Sequence, residues 1–324
     1  MNSAEEIRKI IEHQIEILDI DRTPEMLYKP IRYALGSGGK RMRPVLTLLS
    51  CEAFSDQWQS AINAAMAIEV FHNFTLLHDD IMDNSSMRRG KPTVHCQWND
   101  NTAILSGDAM SILAYEILSK APSELIVKLL PIFTKVALEV CEGQQFDMDF
   151  ESCDEVALDN YLEMIRLKTA VLLAGAVELG AICGGASDED AQLMYEFGEN
   201  LGLLFQITDD ILDTYGNPEI FGKSIGGDIR CGKKTFLLIT AMQQASPEQR
   251  QRLIDLIKDN QISDNVKIES VTKLYNQLNV RKLAEEASDK YFNLAINALR
   301  KVSLDENRKN ELMEYATRIR YREK

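Results

Sequence analysis

Leu77-His78-Asp79-Asp80-Ile81-Met82-Asp83 closes one apolar run, and Ile207-Thr208-Asp209-Asp210-Ile211-Leu212-Asp213 closes another at a constant offset of 130 residues. Each places carboxylates at i, i+1 and i+4. On a helix the first and last then share a face one turn apart, with the middle one beside them. Three like charges on so small a patch repel one another, and Asp is a poor residue for a helix interior, so a compensating cation is called for. Magnesium meets that need: it takes oxygen ligands, keeps several waters and shares its shell with substrate phosphates. One such motif alone reads as a solvated acidic helix end. Two, after equally apolar runs, point to a metal–diphosphate ligand. A dinuclear iron or manganese bundle would want Glu and Glu-x-x-His pairs, which His13, His72, His78 and His95 do not supply. A hydrolase with an aspartate nucleophile would place a strand, not a helix, before it.

Outward from the motifs, helical periodicity dominates. Ile7, Ile10, Ile11, Ile15 and Leu18 form one stripe, with Ser3 and Glu6 spaced as a capping box. The pattern predicts further helices at 41–54, 60–84, 101–119, 124–142, 158–183, 189–215, 232–244, 248–258, 265–300 and 305–320, and no strand. Breaks fall at short Gly and Pro turns such as Gly36-Ser37-Gly38-Gly39 and Gly90-Lys91-Pro92. One all-α domain over 1–324 is expected, its repeated motif a pair of matched helices in one bundle.

The 324 residues carry 36 Lys+Arg against 50 Asp+Glu, a net charge of −14, which disfavours general nucleic-acid binding. At 45% apolar the chain is too hydrophobic to be disordered. The six cysteines show no C-x-x-C pair, so neither a zinc site nor a disulfide framework is expected. The N-terminus lacks the pattern of a signal peptide and no apolar run is long enough to span a membrane, so a cytoplasmic protein is expected.

A metal–diphosphate site also needs cationic groups, and this acidic chain concentrates them in four clusters. Gly38-Gly39-Lys40-Arg41-Met42-Arg43-Pro44 puts Lys40 and Arg43 three apart at a helix start, where the dipole favours anions. Arg88-Arg89-Gly90 follows the first motif, Lys168-Thr169 sits within a helix, and Phe221-Gly222-Lys223 through Lys233-Lys234-Thr235 follows the second motif.

From Gly38 to Thr235 this set strongly resembles, in order, the trans-isoprenyl diphosphate synthases, the head-to-tail prenyltransferases that include farnesyl and geranylgeranyl diphosphate synthases. The resemblance implies a single polyprenyl synthetase domain with the isoprenoid synthase fold, a helical bundle around a central cavity, as a homodimer. By the same resemblance Asp79, Asp80, Asp83, Asp209, Asp210 and Asp213 bind three magnesium ions that clamp an allylic diphosphate. Arg88, Lys168, Thr169, Gln206, Lys223 and Lys233 contact that diphosphate, and Lys40, Arg43, His72 and Arg89 hold isopentenyl diphosphate. Gly143-Gln144-Gln145-Phe146-Asp147 and the basic end Arg318 to Lys324 are looser matches.

The implied chemistry is ionisation of the allylic substrate, capture by isopentenyl diphosphate and loss of a proton. Phe74 and Phe71, five and eight residues before Asp79, would limit the cavity for the growing chain, and the small Thr75 resembles the archaeal-type geranylgeranyl synthases. Twenty carbons are expected over fifteen. A class I terpene cyclase would replace the second aspartate motif and have no use for Lys40, Arg43 and Arg89. A non-catalytic prenyl-diphosphate-binding relative would lose aspartates, and all six are present.

Overall fold

The computed structural model describes residues 2–217, 225–259 and 261–321. Ser3 starts α1 (Ala4–Glu16) with its hydroxyl on the Glu6 amide, while the Glu6 carboxylate returns to the Ser3 amide, the reciprocal box that the spacing predicts. α2 (Glu25–Leu35) is a helix the periodicity does not predict, because Pro30 lies inside it and interrupts the pattern. Arg32 ties α2 to the end of α1 by donating to the carbonyls of Ile15 and Leu18. In α3 (Met42–Phe54) every residue from Met42 to Ala53 is buried, as expected of a helix surrounded by others.

α4 (Ile62–Met82) carries the first aspartate motif to its C-terminus. A two-stranded antiparallel hairpin follows, β1 (Met87–Arg88) and β2 (Lys91–Pro92), with Arg88 opposite Lys91. Strands of two residues are too short to show alternation, which is why the sequence gives no sign of them. The turn between them, Arg89 and Gly90, has both φ angles positive, at 52° and 75°, the pattern of the tight type I′ turn.

α5 (Val94–Gln97) and α6 (Asp100–Leu118) lead to α7 (Ser123–Ser152), which runs well past its expected end at 142. The helix expected over 158–183 is three pieces: α8 (Leu158–Ile165), a π-turn (Arg166–Ala170) and α9 (Val171–Cys183). α10 (Asp188–Tyr215) carries the second motif. α11 (Gly227–Cys231) ends at Gly232 with φ 66°, and Thr235 caps α12 (Phe236–Gln244) on the Leu238 amide. α13 (Pro247–Lys258) follows. The stretch expected as 265–300 divides at Asn279, φ 54°, into α14 (Asp264–Gln277) and α15 (Val280–Lys301), before α16 (Glu306–Arg320).

The all-α expectation holds. Contacts group the chain into two compact units: Met1–Lys135, Gly175–Tyr195 and Val302–Leu312 in the first, Val136–Ala174, Glu196–Lys301 and Met313–Lys324 in the second. The first is built on α3 and α4, with Leu46, Leu49, Ile68 and Val70 fully enclosed. The second packs Tyr161, Ile207, Phe236, Leu253 and Leu274 into one core. Among the described residues no helix is long and apolar enough to cross a membrane.

Candidate active site

In the first unit, α4 ends in its motif and the hairpin folds back over that end. Arg88 on β1 thereby donates Nε to Asp80 Oδ1 at 2.7 Å and a second nitrogen to Asp79 Oδ2 at 3.3 Å. Asp80 is only 5% exposed, and burial pushes its carboxyl above the usual range against the pull of Arg88. Asp79 is half-buried and Asp83, the helix C-cap, is exposed.

The basic cluster at the start of α3 divides by function. Arg41, at φ 49° and 3% exposed, turns inward and donates to Glu69 Oε1 at 2.7 Å, Glu12 Oε1 at 3.0 Å and the Leu35 carbonyl at 2.6 Å. Arg43 points elsewhere, with one guanidinium nitrogen 3.2 Å from His72 Nε2. Guanidinium only donates, so His72 accepts through Nε2 and carries its proton on Nδ1. Burial, then Arg43 and Arg89, hold the His72 imidazole well below its usual range. The Nε of Arg43 is buried with no partner, and burial, aided by Arg89 and opposed by Glu69, pushes the guanidinium down to about 10. Arg89 donates to the Gly38 carbonyl, and a Cβ on Gly39 would stand 2.6 Å from its Cζ, so glycine leaves the room. Lys40 is exposed beside this group.

The chain-length candidates are on the same helix. Phe74 meets Phe71 edge-on at 5.2 Å and His78 at 4.9 Å, and Phe71 continues onto Phe133 at 5.5 Å. The Thr75 hydroxyl donates to the His72 carbonyl at 2.8 Å.

In the second unit, Asp210 is 4% exposed and accepts from the Tyr161 hydroxyl at 2.5 Å, the Phe236 amide at 2.9 Å and Gln206 Nε2 at 3.1 Å. Burial pushes its carboxyl up, and those three bonds restrain the rise. Gln206 in turn accepts from the Thr169 hydroxyl at 3.1 Å. Asp209 and Asp213 are half-buried, and Asp213 accepts the Asp228 amide at 3.0 Å. Lys168, from the π-turn, reaches Asp147 at 2.6 Å, and Lys233 stands 3.6 Å from the same oxygen. Burial raises the Asp147 carboxyl, but Lys233 and Lys168 outweigh it and hold it below the usual range. Lys223 lies outside the described residues, as do residues 322–324 of the basic end; Arg318 pairs with Glu314 and Arg320 with Asp289.

The structure adds residues that the motifs do not point to. Glu69 is one, and a lone carboxylate inside the apolar run of α4 is the sequence signal for it. Tyr161 is another, and nothing distinguishes it in sequence from a core aromatic.

Among the described residues, no three His, Cys, Asp or Glu side chains form a ready-made metal cluster. Each motif offers oxygen donors only, with its first and last carboxylates the more exposed. That donor set suits magnesium, which takes few carboxylates and completes its shell with phosphate and water.

The polyprenyl synthetase family profile matches residues 24–277. A geranylgeranyl diphosphate synthase of Methanosarcina mazei is 46% identical over 231 residues, 71% of this chain and 71% of that protein. A crystal structure of a geranylgeranyl pyrophosphate synthase matches with a TM-score of 0.94 at 40% identity, covering 99% of both chains. Another, from Corynebacterium glutamicum complexed with isoprenyl diphosphate and magnesium, matches at 0.84 and 26% identity over 98% of this chain and 97% of that one. Similar over most of their length to such proteins, and matching the profile across its central region, this chain belongs to the polyprenyl synthetase family and has the helical fold of the trans-isoprenyl diphosphate synthases.

Proposed function

We propose that this chain, as one domain, is a magnesium-dependent short-chain prenyltransferase that condenses isopentenyl diphosphate head-to-tail with allylic diphosphates to give geranylgeranyl diphosphate. The observation that carries the reading is Arg43: an enclosed guanidinium with an unpartnered Nε, facing a neutral His72 and opposed by Arg89. Such a group calls for an anion, and a diphosphate supplies the charge and the acceptor oxygens. The names of the relatives support the twenty-carbon product.

In this reading Lys40, Arg43, His72 and Arg89 hold isopentenyl diphosphate. Asp79, Asp83, Asp209 and Asp213, with Asp80 supporting, hold magnesium, which when bound neutralises charge on the leaving diphosphate. Arg88, Lys168, Thr169, Gln206, Lys223 and Lys233 take the allylic diphosphate. Its C–O bond breaks with the electron pair going to the diphosphate, and in this reading the cationic Arg88, Lys168, Lys223 and Lys233 stabilise that charge. The double bond of isopentenyl diphosphate then forms the new C–C bond, and the proton lost goes to the departing diphosphate. Apolar walls keep water from the allylic cation.

A homodimer belongs to the same reading. Leu105 and Ile112, seven apart and so on one face of α6, are 59% and 69% exposed, apolar side chains that a second copy would cover. Light scattering would then give twice the chain mass.

The test is product sizing after incubation with isopentenyl diphosphate and dimethylallyl, geranyl or farnesyl diphosphate, with magnesium or with chelator. Elongation that needs the metal and stops at twenty carbons is expected. No elongation from any primer would sink the reading.

A further inference from the structure

We propose that Tyr161 is a positioning residue for this reaction, holding Asp210 as the anchor that sets the π-turn of Lys168 and the segment of Lys233, and that Asp210 serves in this way rather than as a metal ligand. Tyr161 on α8 is 2% exposed, and its hydroxyl donates to Asp210 Oδ2 at 2.5 Å. The same oxygen takes the amide of Phe236, the first residue of α12, at 2.9 Å. Gln206 Nε2 donates to Oδ1 at 3.1 Å, and Gln206 is itself fixed by the Thr169 hydroxyl. A carboxylate has about four acceptor sites, so the chain's own donors fill most of them in a place water hardly reaches.

The identity of the donors gives the arrangement its consequence. Thr169 adjoins Lys168 in the π-turn, and Phe236 follows Lys233 by three residues, so one carboxylate joins α8, the π-turn, α10 and the start of α12. Asp210 also lies at the N-terminus of α12, where a negative charge is favoured. Tyr161 makes the shortest of the three bonds from a stiff ring with few torsions. Without its hydroxyl, a buried carboxylate loses a charge-assisted bond and its orientation is no longer set.

The kinetic part of the test rests on the proposed prenyltransferase activity; the exchange part does not. Tyr161→Phe in the full chain is compared with wild type by hydrogen exchange, melting and steady-state kinetics, with Tyr275→Phe as a control that removes another buried hydroxyl of the same core. In Tyr161→Phe, exchange across 166–170 and 233–238 is expected to quicken about tenfold while the fold still melts cooperatively. kcat is expected to fall about tenfold to hundredfold, as for an ångström-scale misplacement, with KM for isopentenyl diphosphate within about twofold. Tyr275→Phe should leave both exchange segments as they are. Unchanged exchange in Tyr161→Phe, or a KM rise equal to the kcat loss, would overturn the proposal. Asp210→Asn keeps an acceptor for Tyr161 and Phe236, so it should retain kcat within about tenfold; a loss beyond about a thousandfold, as for removal of a direct electrostatic contact, would overturn the anchor role. If wild type turns over no substrate, the enzyme reading fails while the exchange arms still decide the anchor.

Discussion

A Cβ on Gly143 of α7 would stand 2.2 Å from the backbone nitrogen of Lys168. Backbone cannot swing aside as a side-chain end can, so α7 and the π-turn touch only because residue 143 has no side chain. Asp147 lies one turn further along α7 and receives the Lys168 ammonium at 2.6 Å. The glycine thus admits the π-turn and the aspartate orients its lysine. Gly143→Ala is expected to cost about 1–3 kcal/mol by overpacking. It should also lower kcat at least about tenfold by moving Lys168. Thermal melting and kinetics read these out, with Glu142→Ala on the exposed neighbouring position as the unaffected comparison.

Arg41 and Arg43 should respond oppositely to the same substitution. Arg41→Met leaves Glu69, 2% exposed, without its ion pair and is expected to destabilise by about 3–5 kcal/mol. Arg43→Met removes a buried charge whose Nε has no partner, so stability should hold or rise. Its cost should appear in KM for isopentenyl diphosphate, raised roughly tenfold to hundredfold by loss of a charged hydrogen bond. Denaturant melts and initial rates on both variants separate the two roles.

Phe74→Ala is expected to lengthen the product by at least one five-carbon unit, because Phe74 is half-buried and its ring meets Phe71 and His78 edge-on. Phe71→Ala should act differently. Phe71 is 3% exposed and packs on Phe133, so its loss is expected to cost about 3–5 kcal/mol. Chromatography of dephosphorylated products, beside melting of both variants, checks the distinction.

Glu178 on α9 makes a stability prediction with a definite sign. Burial, against the pull of Lys135, pushes its carboxyl from 4.5 up to about 7. The folded chain therefore holds this proton more tightly than the unfolded one. Its contribution is full below about pH 4.5 and is lost as pH climbs toward 7, amounting to roughly 3 kcal/mol at most. Glu178→Gln should raise the melting midpoint at pH 8 and leave it unchanged near pH 4.

What could be read ahead of the structure was what is local along the chain. Capping boxes, apolar stripes and breaks at Gly and Pro depend on neighbours within a turn or two, and most helices lie where these signals put them. α2 escaped because Pro30 interrupts its pattern, and the hairpin because two-residue strands have no period. The π-turn at 166–170 was hidden for another reason: its residues are ordinary helix formers, and it is the approach of Gly143 on α7 that lets the backbone bulge there.

The sequence by itself determined the two aspartate motifs, the basic clusters and the all-α class, since residue type and helical spacing are properties of the covalent chain. Only the tertiary structure decided which members of each set face inward. A step of one residue turns a helical side chain through about 100°, enough to bury Asp80 and Asp210 while the preceding Asp79 and Asp209 stay nearer solvent. Before α3 the left-handed backbone at Arg41 sends that side chain to Glu69 and leaves Arg43 for His72. Such choices are settled by partners far away in sequence, as with Tyr161 and Asp210, and no local pattern along the chain records them.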